Sequence, residues 1–598
     1  MPKYNTKLYN LSTGKPITSL SPYSSPIDEY CAAFDDQSHI FLNYYTFQED
    51  KVSKLTLTRG EFWDLACSAA TYISKHGISK GDRVVHSFSY NSLYDLVFRL
   101  AAVLVGCTPV TVNWQTDDNE RIIYKAVITS SKLMLYDNGF AGRVEEMKST
   151  LPTILFLEAE KINKYKATDK QPYLPLDYAD ERMVIFTSGT TAKPKGVSLS
   201  HRSYLANSLT FEHYFGMSED TKLDLLLVNP LHHTNSTALS DWGMRRKGAV
   251  IHLLQRYTTA YWKILVDIAS TKRDLLITSL VSRHIDFLED LSTHSKLQVK
   301  KNTLQEALNQ TDILIGSAPV GPTTIRRILN FSKNLPHVRF GSTEACLQVI
   351  ATPKTMPKNQ LMRTFQVGWS HRYKGKDTPG YYIGREHFPF TRVKVVKAID
   401  PKSKGYFQPC EIGEPGYLIT QGANIMNYYI GDDEATKAVF REGWYTGLRD
   451  IVFALKNKRD GDLDYYWISR DSELLIRGGA NYAYDQIAAE LSRFLVEHFS
   501  LKPEQFQLAV VGLRLKSEHE DSCCVTIQLS KEVSTIESEL KANFIEKAPR
   551  IVSKGSRPDY LRFGQIPKSF KGAILYPQLK QDFWSSLKRE NENSITTC

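Results

Sequence analysis

Residues 187–196, Thr-Ser-Gly-Thr-Thr-Ala-Lys-Pro-Lys-Gly, place a run of small and hydroxyl-bearing residues beside two lysines, Lys193 and Lys195. Backbone N–H groups in such a run approach a ligand closely and form an anion-binding nest. The lysine ammonium groups add the positive charge a polyphosphate needs. The chemistry indicated is the use of a nucleoside triphosphate. A Walker loop, G-x-x-x-x-G-K-[ST], occurs nowhere in the chain, so this cradle is of another kind.

Further segments follow in order: Gly316-Ser317-Ala318-Pro319, then Phe340-Gly341-Ser342-Thr343-Glu344, GEPGYLITQGANIMNYY at 414–429, REGWYTGLRD at 441–450 and WISRDSELLIRGGANYAYDQIAAEL at 467–491. Together with the loop at 187–196 this series resembles the adenylate-forming superfamily, which includes acyl-CoA synthetases, firefly-type luciferases and nonribosomal-peptide adenylation domains. The resemblance covers about residues 55 to 585.

It implies a set of roles. Thr187, Ser188, Gly189, Thr190, Thr191 and Lys195 clamp the pyrophosphate side of ATP, with Ala192 where glycine is usual. Gly316, Ser317, Ala318 and Pro319 line the adenine site and Phe340 stacks on the base. Thr343 binds the α-phosphate and Glu344 coordinates Mg²⁺, a hard cation that takes carboxylate oxygens and bridges phosphates. The ribose-binding aspartate normally adjoins Thr-Gly. Leu448 stands there, and the acid appears at Asp450, where the apolar run IVFAL begins, so Asp450 takes that role.

In the hinge segment Arg470 contacts ribose, Ser472 is the pivot and Gly479 belongs to the loop that swings toward the thiol acceptor, while Gln486 replaces a usual acid. Near the end, Ala573 occupies the place of the lysine that steadies charge during adenylation, and Lys571, two residues earlier, is the offered substitute. The segment Asn229-Pro230-Leu231-His232-His233-Thr234-Asn235 sets His233 at the closure of the acyl pocket. His232, Thr234 and Asn235 suit a small or polar acid, with a solvent-facing His232 as the plainer alternative.

These residues need elements to position them. Between 60 and 135 helical and strand-like runs alternate (GEFWDLACSAATYISKHG, DRVVHSFS, SLYDLVFRLAAVLVG, PVTVNW, DDNERIIYKAVITS, KLMLYD), which predicts an α/β domain with a largely parallel sheet. Ser200 is placed to cap the helix that follows the loop. A second α/β round runs through 250–350, whereas 352–389, rich in Pro, Gly, Lys and Tyr, reads as loops or a surface insertion. The fold class expected is α/β: a large N-terminal domain of packed α/β subdomains, residues 1–470, and a small mobile α+β C-terminal lid, residues 471–598.

The bulk properties agree. The 598 residues are 42% hydrophobic and 23% charged, as in an ordinary globular protein too long for one core. The 75 basic against 65 acidic residues suit an anionic ligand or a solvated basic surface. No compact basic block with interleaved aromatics argues for nucleic acid. The scattered cysteines lack zinc spacing, and Cys523-Cys524 lies in a strand-like run; they read as reduced core residues. There is no leader-like start, no run of ~18–20 apolar residues, no prenylation box and no peroxisomal tripeptide, so a cytoplasmic protein without stable membrane insertion is expected.

The implied reaction joins a small carboxylic acid to coenzyme A through an acyl-adenylate, with ATP and Mg²⁺ consumed in the first half. Two alternatives stay open: an acyl-AMP ligase that loads a carrier protein in trans or an amine, and a nucleotide-binding regulator that has lost its lysine at position 573.

Overall fold

The computed structural model describes residues 15–595 except 50, 116, 166–174, 188–193, 272, 318, 471–472, 478–479, 514, 516–520 and 569–571. The alternating pattern at 60–135 folds as expected. Thr58 and Glu61 form a reciprocal capping box that starts the helix Arg59–Lys75, and left-handed Gly106 ends the helix Leu93–Val105. The second of these helices is apolar nearly all round, interrupted only by Asp95 and Arg99, and it is buried nearly throughout. A helix of that kind belongs between layers rather than on a surface.

One of the sheets flanking it has seven strands, in the order Tyr428–Tyr429, Gly196–Ser200, Glu181–Phe186, Thr108–Thr111, Arg83–Ser87, Leu133–Tyr136 and Leu155–Glu158. The last five pair in parallel and the first two are antiparallel. The other sheet begins with Lys51–Thr58 antiparallel to Ile40–Gln48 and continues through the parallel strands Val250–Leu254, Leu223–Leu227, Leu275–Leu280, Thr311–Ile315 and His337–Phe340. It then turns antiparallel through Tyr381–Glu386, Leu463–Arg470, Asp450–Lys456 and Gly416–Gly422. Segments that follow Arg83–Ser87 and Thr108–Thr111 in one sheet and Leu223–Leu227 in the other line a common pocket at the C-terminal ends of these strands, which is where α/β folds place ligands.

The segment 352–389 departs from its loop reading. It contains the helix Lys358–Trp369 and the strand Tyr381–Glu386, with Leu361, Phe365 and Tyr382 in the core. Beyond it, Phe506–Leu513, Ser522–Leu529 and Tyr560–Phe563 form a separate sheet under the helices Tyr484–Phe499, Glu537–Ile551 and Tyr576–Ile595. Their buried apolar residues, Leu475 through Phe583 with Cys523 and Cys524 among them, form a core distinct from those of the larger body. The mixed α/β architecture of a large N-terminal and a smaller C-terminal body is as expected.

Candidate active site

The loop of the first motif closes a hairpin. Strands Glu181–Phe186 and Gly196–Ser200 pair antiparallel, and Thr187 N–H donates to Lys195 O at 3.0 Å. Ser200 caps the helix His201–Phe215, accepting from Ser203 N–H at 3.2 Å. Ser188, Gly189, Thr190 and Thr191 lie outside the described residues, so the site is built from the two ends of the loop. Lys195 leaves the hairpin with its ammonium 4.9 Å from the Tyr429 ring centroid and 3.8 Å from Asp432 Oδ2.

Tyr429 carries the connection onward. Its hydroxyl donates to Glu344 Oε1 at 2.9 Å, and burial together with the charge of Glu344 pushes the phenol above its ordinary range. Glu344 is also fixed by its backbone, whose carbonyl accepts from Met426 N–H at 2.7 Å. Asn424 Nδ2 donates to Ala345 O and Gln348 O, each at 2.8 Å, and clamps the turn that presents the carboxylate. Gly341 is required there: a Cβ would lie 1.9 Å from Leu347 O. Thr343 Oγ1 accepts from Thr234 Oγ1 at 3.1 Å, so the phosphate-side motif is tied to the helix Thr234–Arg245.

No group of three or more His, Cys, Asp or Glu gathers among the described residues to cage a metal. A single presented carboxylate is what Mg²⁺ needs when phosphate oxygens and water complete its octahedron. Glu344 is a carboxylate of that kind and would hold the ion, whose charge would neutralise phosphate oxygens.

Segments 316–319 and 340–344 leave adjacent parallel strands at the same end. Gly316 lets them approach, because a Cβ would lie 3.0 Å from Arg339 O, and Ser317 adopts a left-handed φ of 70°. Pro319 is exposed, Phe340 is half-buried, and Ala318 lies outside the described residues. Of the two positions weighed for the ribose role, Leu448 is buried in the apolar core, while Asp450 accepts from Trp467 Nε1 at 2.7 Å. Asp450 pairs in register with Arg470, whose Nε is 3.6 Å from Asp450 Oδ1. That carboxylate, more than any other neighbour, raises the guanidinium's pKa above its ordinary value.

His233 is the N-cap residue of the helix Thr234–Arg245, and its carbonyl accepts from Thr237 N–H at 3.0 Å. The His232 ring packs 4.3 Å from that of His233 and edge-on to Trp114 at 6.1 Å. His232 is buried, which corrects the solvent-facing alternative. Thr234 is committed to Thr343 and Asn235 is buried.

Two residues that the sequence reading passed over fix this segment. Asn91 Nδ2 donates to the carbonyls of Val228, Asn229 and Leu254, and its Oδ1 accepts from Leu231 N–H at 2.8 Å. Arg99 Nη2 donates to Leu231 O at 2.8 Å, and Arg99 is held by a two-pronged bond to Asp95 at 2.9 and 2.8 Å. The signal was available: an Asp and an Arg four apart inside the otherwise apolar LYDLVFRLAAVLV.

In the C-terminal body, Lys571, Ser472 and Gly479 lie outside the described residues. Ala573 is exposed, Lys568 and Ile574 form an isolated antiparallel bridge, and Gly572 has a φ of 83°.

The family model for AMP-binding enzymes matches residues 38–430 of this chain, about two thirds of its length. The chain belongs to the AMP-binding enzyme family. A 2-succinylbenzoate–CoA ligase of Bacillus velezensis is 24% identical over 449 residues, covering 73% of this chain and 77% of the relative. A trans-cinnamate:CoA ligase of Petunia hybrida is 24% identical over 551 residues, covering 86% and 87%. Among solved structures, o-succinylbenzoate CoA synthetase of Bacillus subtilis in complex with its acyl-adenylate intermediate superposes with a TM-score of 0.69. It has 19% identity and covers 93% of this chain and 98% of that one.

The resemblance drawn from the motifs is borne out in family and fold, and an AMP-forming acid ligase is the enzyme class that membership supports. The family match ends before Asp450 and Arg470 and begins after the helix Pro26–Ala33. No helix among the described residues is long and apolar enough to cross a membrane.

Proposed function

We propose that this AMP-binding enzyme activates a small or polar carboxylic acid as its acyl-adenylate and transfers the acyl group to coenzyme A. The observation that carries the reading is the continuous contact from Lys195 through Tyr429 to Glu344, which joins the end of the phosphate loop to a carboxylate suited to Mg²⁺. Thr187 through Lys195 would hold the β- and γ-phosphates, Thr343 the α-phosphate, and Asp450 with Arg470 the ribose. Segments 316–319 and Phe340 would enclose adenine, and His233 would close the acid pocket. Bound at Glu344, Mg²⁺ neutralises phosphate charge.

Activation makes a poor electrophile reactive, because AMP leaves a carbonyl far more readily than oxide does. The separate core of the C-terminal body supports a lid that begins at residue 471, pivots at Ser472 and brings Gly479 toward the thiol. CoA-ligase relatives that align over most of this chain support coenzyme A as acceptor.

An ATP–pyrophosphate exchange assay over a panel of acids tests the first half-reaction, and thioester mass with coenzyme A tests the second. Measurable ATP binding without exchange for any acid would remove the catalytic reading. Exchange without CoA thioester would move the acceptor to a carrier protein in trans or to an amine. Lys571→Ala should lower exchange roughly 10²–10³-fold, the usual cost of one electrostatic donor, and Ala573→Lys in that background should restore part of it. Unchanged exchange in Lys571→Ala would show that this lysine is not the substitute.

A further inference from the structure

A pocket opens between the C-terminal end of strand Arg83–Ser87 and the segment that carries His232. Arg99, Trp114, His232, Tyr90, His86 and Asp95 are among the residues that line it. Two of its walls are incompletely satisfied. Arg99 is 1% exposed and spends Nη2 and Nε on Leu231 O and Asp95, yet its buried Nη1 has no acceptor among the described residues. The buried Trp114 Nε1 likewise has none.

Buried donors of this kind are costly to leave without something that accepts from them. Both residues line the same pocket, which makes it the place where one acceptor could serve the two donors. The charge of the pocket decides which kind. The guanidinium of Arg99 is already balanced by Asp95, whose carboxylate lines the same walls, and His86 Nδ1 is spent on that carboxylate at 2.8 Å. A second anion would meet Asp95, so the fitting ligand is uncharged oxygen. Tyr90, 39% exposed, also lines the pocket and packs 5.0 Å from Trp114.

We propose that this pocket binds an uncharged carbonyl or ether oxygen of a substrate, which accepts from Arg99 Nη1 and Trp114 Nε1. The assignment rests on the ligase reading above, which offers two sources of that chemistry: the far end of the acid, or an amide of the pantetheine arm of coenzyme A. His232 connects the pocket to the acid side by packing on His233. Arg99 and Trp114 are in this sense specificity residues rather than catalytic ones.

The test uses the full chain and equilibrium calorimetry, which needs no turnover. The acid probes are pairs differing in one oxygen, pentanoate against 4-oxopentanoate and 4-methylbenzoate against 4-methoxybenzoate; the thiol probes are coenzyme A and pantetheine. Trp114→Phe removes the indole donor and keeps a ring, and Arg99→Lys keeps a cation on Asp95 while removing the fork.

If the acid supplies the oxygen, the wild type should prefer the oxygenated member of a pair about tenfold, and both variants should abolish the preference while thiol affinity holds. If the pantetheine arm supplies it, both variants should weaken coenzyme A and pantetheine about tenfold and leave the acid pairs unchanged. Should the variants fail to fold, the ¹⁵N-indole resonances of the wild-type protein report the same event, because a probe held by Trp114 shifts one indole N–H downfield. Affinities that stay within twofold for every probe, or indole resonances that no probe moves, would overturn the proposal and leave the pocket to solvent. Loss of exchange activity in the wild type would sink the ligase reading alone, since the binding result stands without it.

Discussion

Two carboxylates, Glu344 and Asp450, carry the proposed Mg²⁺ and ribose roles, and each is held by an aromatic donor that the motifs did not single out. Tyr429 donates to Glu344, and Trp467 donates to Asp450 at 2.7 Å. Asp450 was legible only because an apolar strand begins there. The structure supplies the reason for the shift from position 448: Leu448 is buried in the core, where an aspartate would be stranded. Trp467 could not be read from sequence, because its role depends on the register that sets strand Leu463–Arg470 beside Asp450–Lys456. Removing that indole should cost the bond it makes to a charged acceptor, about 1.5–3 kcal/mol, part of it in nucleotide binding. Trp467→Phe is therefore expected to raise the KM for ATP about tenfold in pyrophosphate exchange, with kcat changed much less. An unaltered KM would mean that Asp450 does not depend on Trp467 for its position.

The helix Pro26–Ala33 lies outside the family match, yet it reaches the centre of the larger body. Tyr30 donates to Asp241 at 2.7 Å, Glu29 pairs with Arg245, and Asp241 bonds both Arg182 at 3.0 Å and Arg245 at 2.6 Å. Asp241 and Arg245 belong to the helix whose N-terminus carries His233 and Thr234, and Arg182 belongs to the strand that enters the phosphate loop. This buried network thus ties both halves of the site to one N-terminal helix. Burial alone would raise the Asp241 carboxyl, but Arg245 and Arg182 outweigh it and hold it at about 2. Its folded value is depressed, so the stability it contributes is present above its ordinary value of 3.8 and is lost as pH falls toward 2. Asp241→Asn leaves two buried guanidinium groups facing a neutral amide and should cost about 3–5 kcal/mol, seen as a lowered thermal midpoint at neutral pH. A midpoint unchanged from wild type would demote the network to incidental packing. Sequence reading lost this helix because its meaning lies in partners more than 150 residues away. It misread 352–389 for a related reason. Gly368 and Gly380, which look like breakers, are close-packing positions where a Cβ would lie 2.3 Å from the Tyr466 ring and 2.5 Å from the Phe453 ring.

At the scale of the molecule, the parallel cores and the separate C-terminal body were legible, because hydrophobic period and motif order are local signals. The junction between the bodies was not, because it is made by charges from several elements. Glu473 follows Arg470, accepts from Arg470 N–H at 3.4 Å, and faces the carboxylates of Asp485 and Asp450 and the phenols of Tyr484 and Tyr576. Tyr576 in turn donates to Asp485 at 2.9 Å. Burial raises the Glu473 carboxyl most, Asp485 and Asp450 add to it, and Arg470 opposes them, leaving it at about 7. Between its ordinary 4.5 and about 7 the folded chain keeps a proton that the unfolded chain releases, so this group's contribution to stability declines as pH rises through that window and is level above it. Glutamine has the same shape and no proton to lose. Glu473→Gln should therefore flatten the fall in thermal midpoint between pH 5 and pH 7 relative to wild type, with the two curves running parallel above pH 8. Curves that remain parallel throughout would assign the slope to Asp485, whose carboxyl is also raised by burial at the same junction, and Asp485→Asn would then be the variant that flattens it.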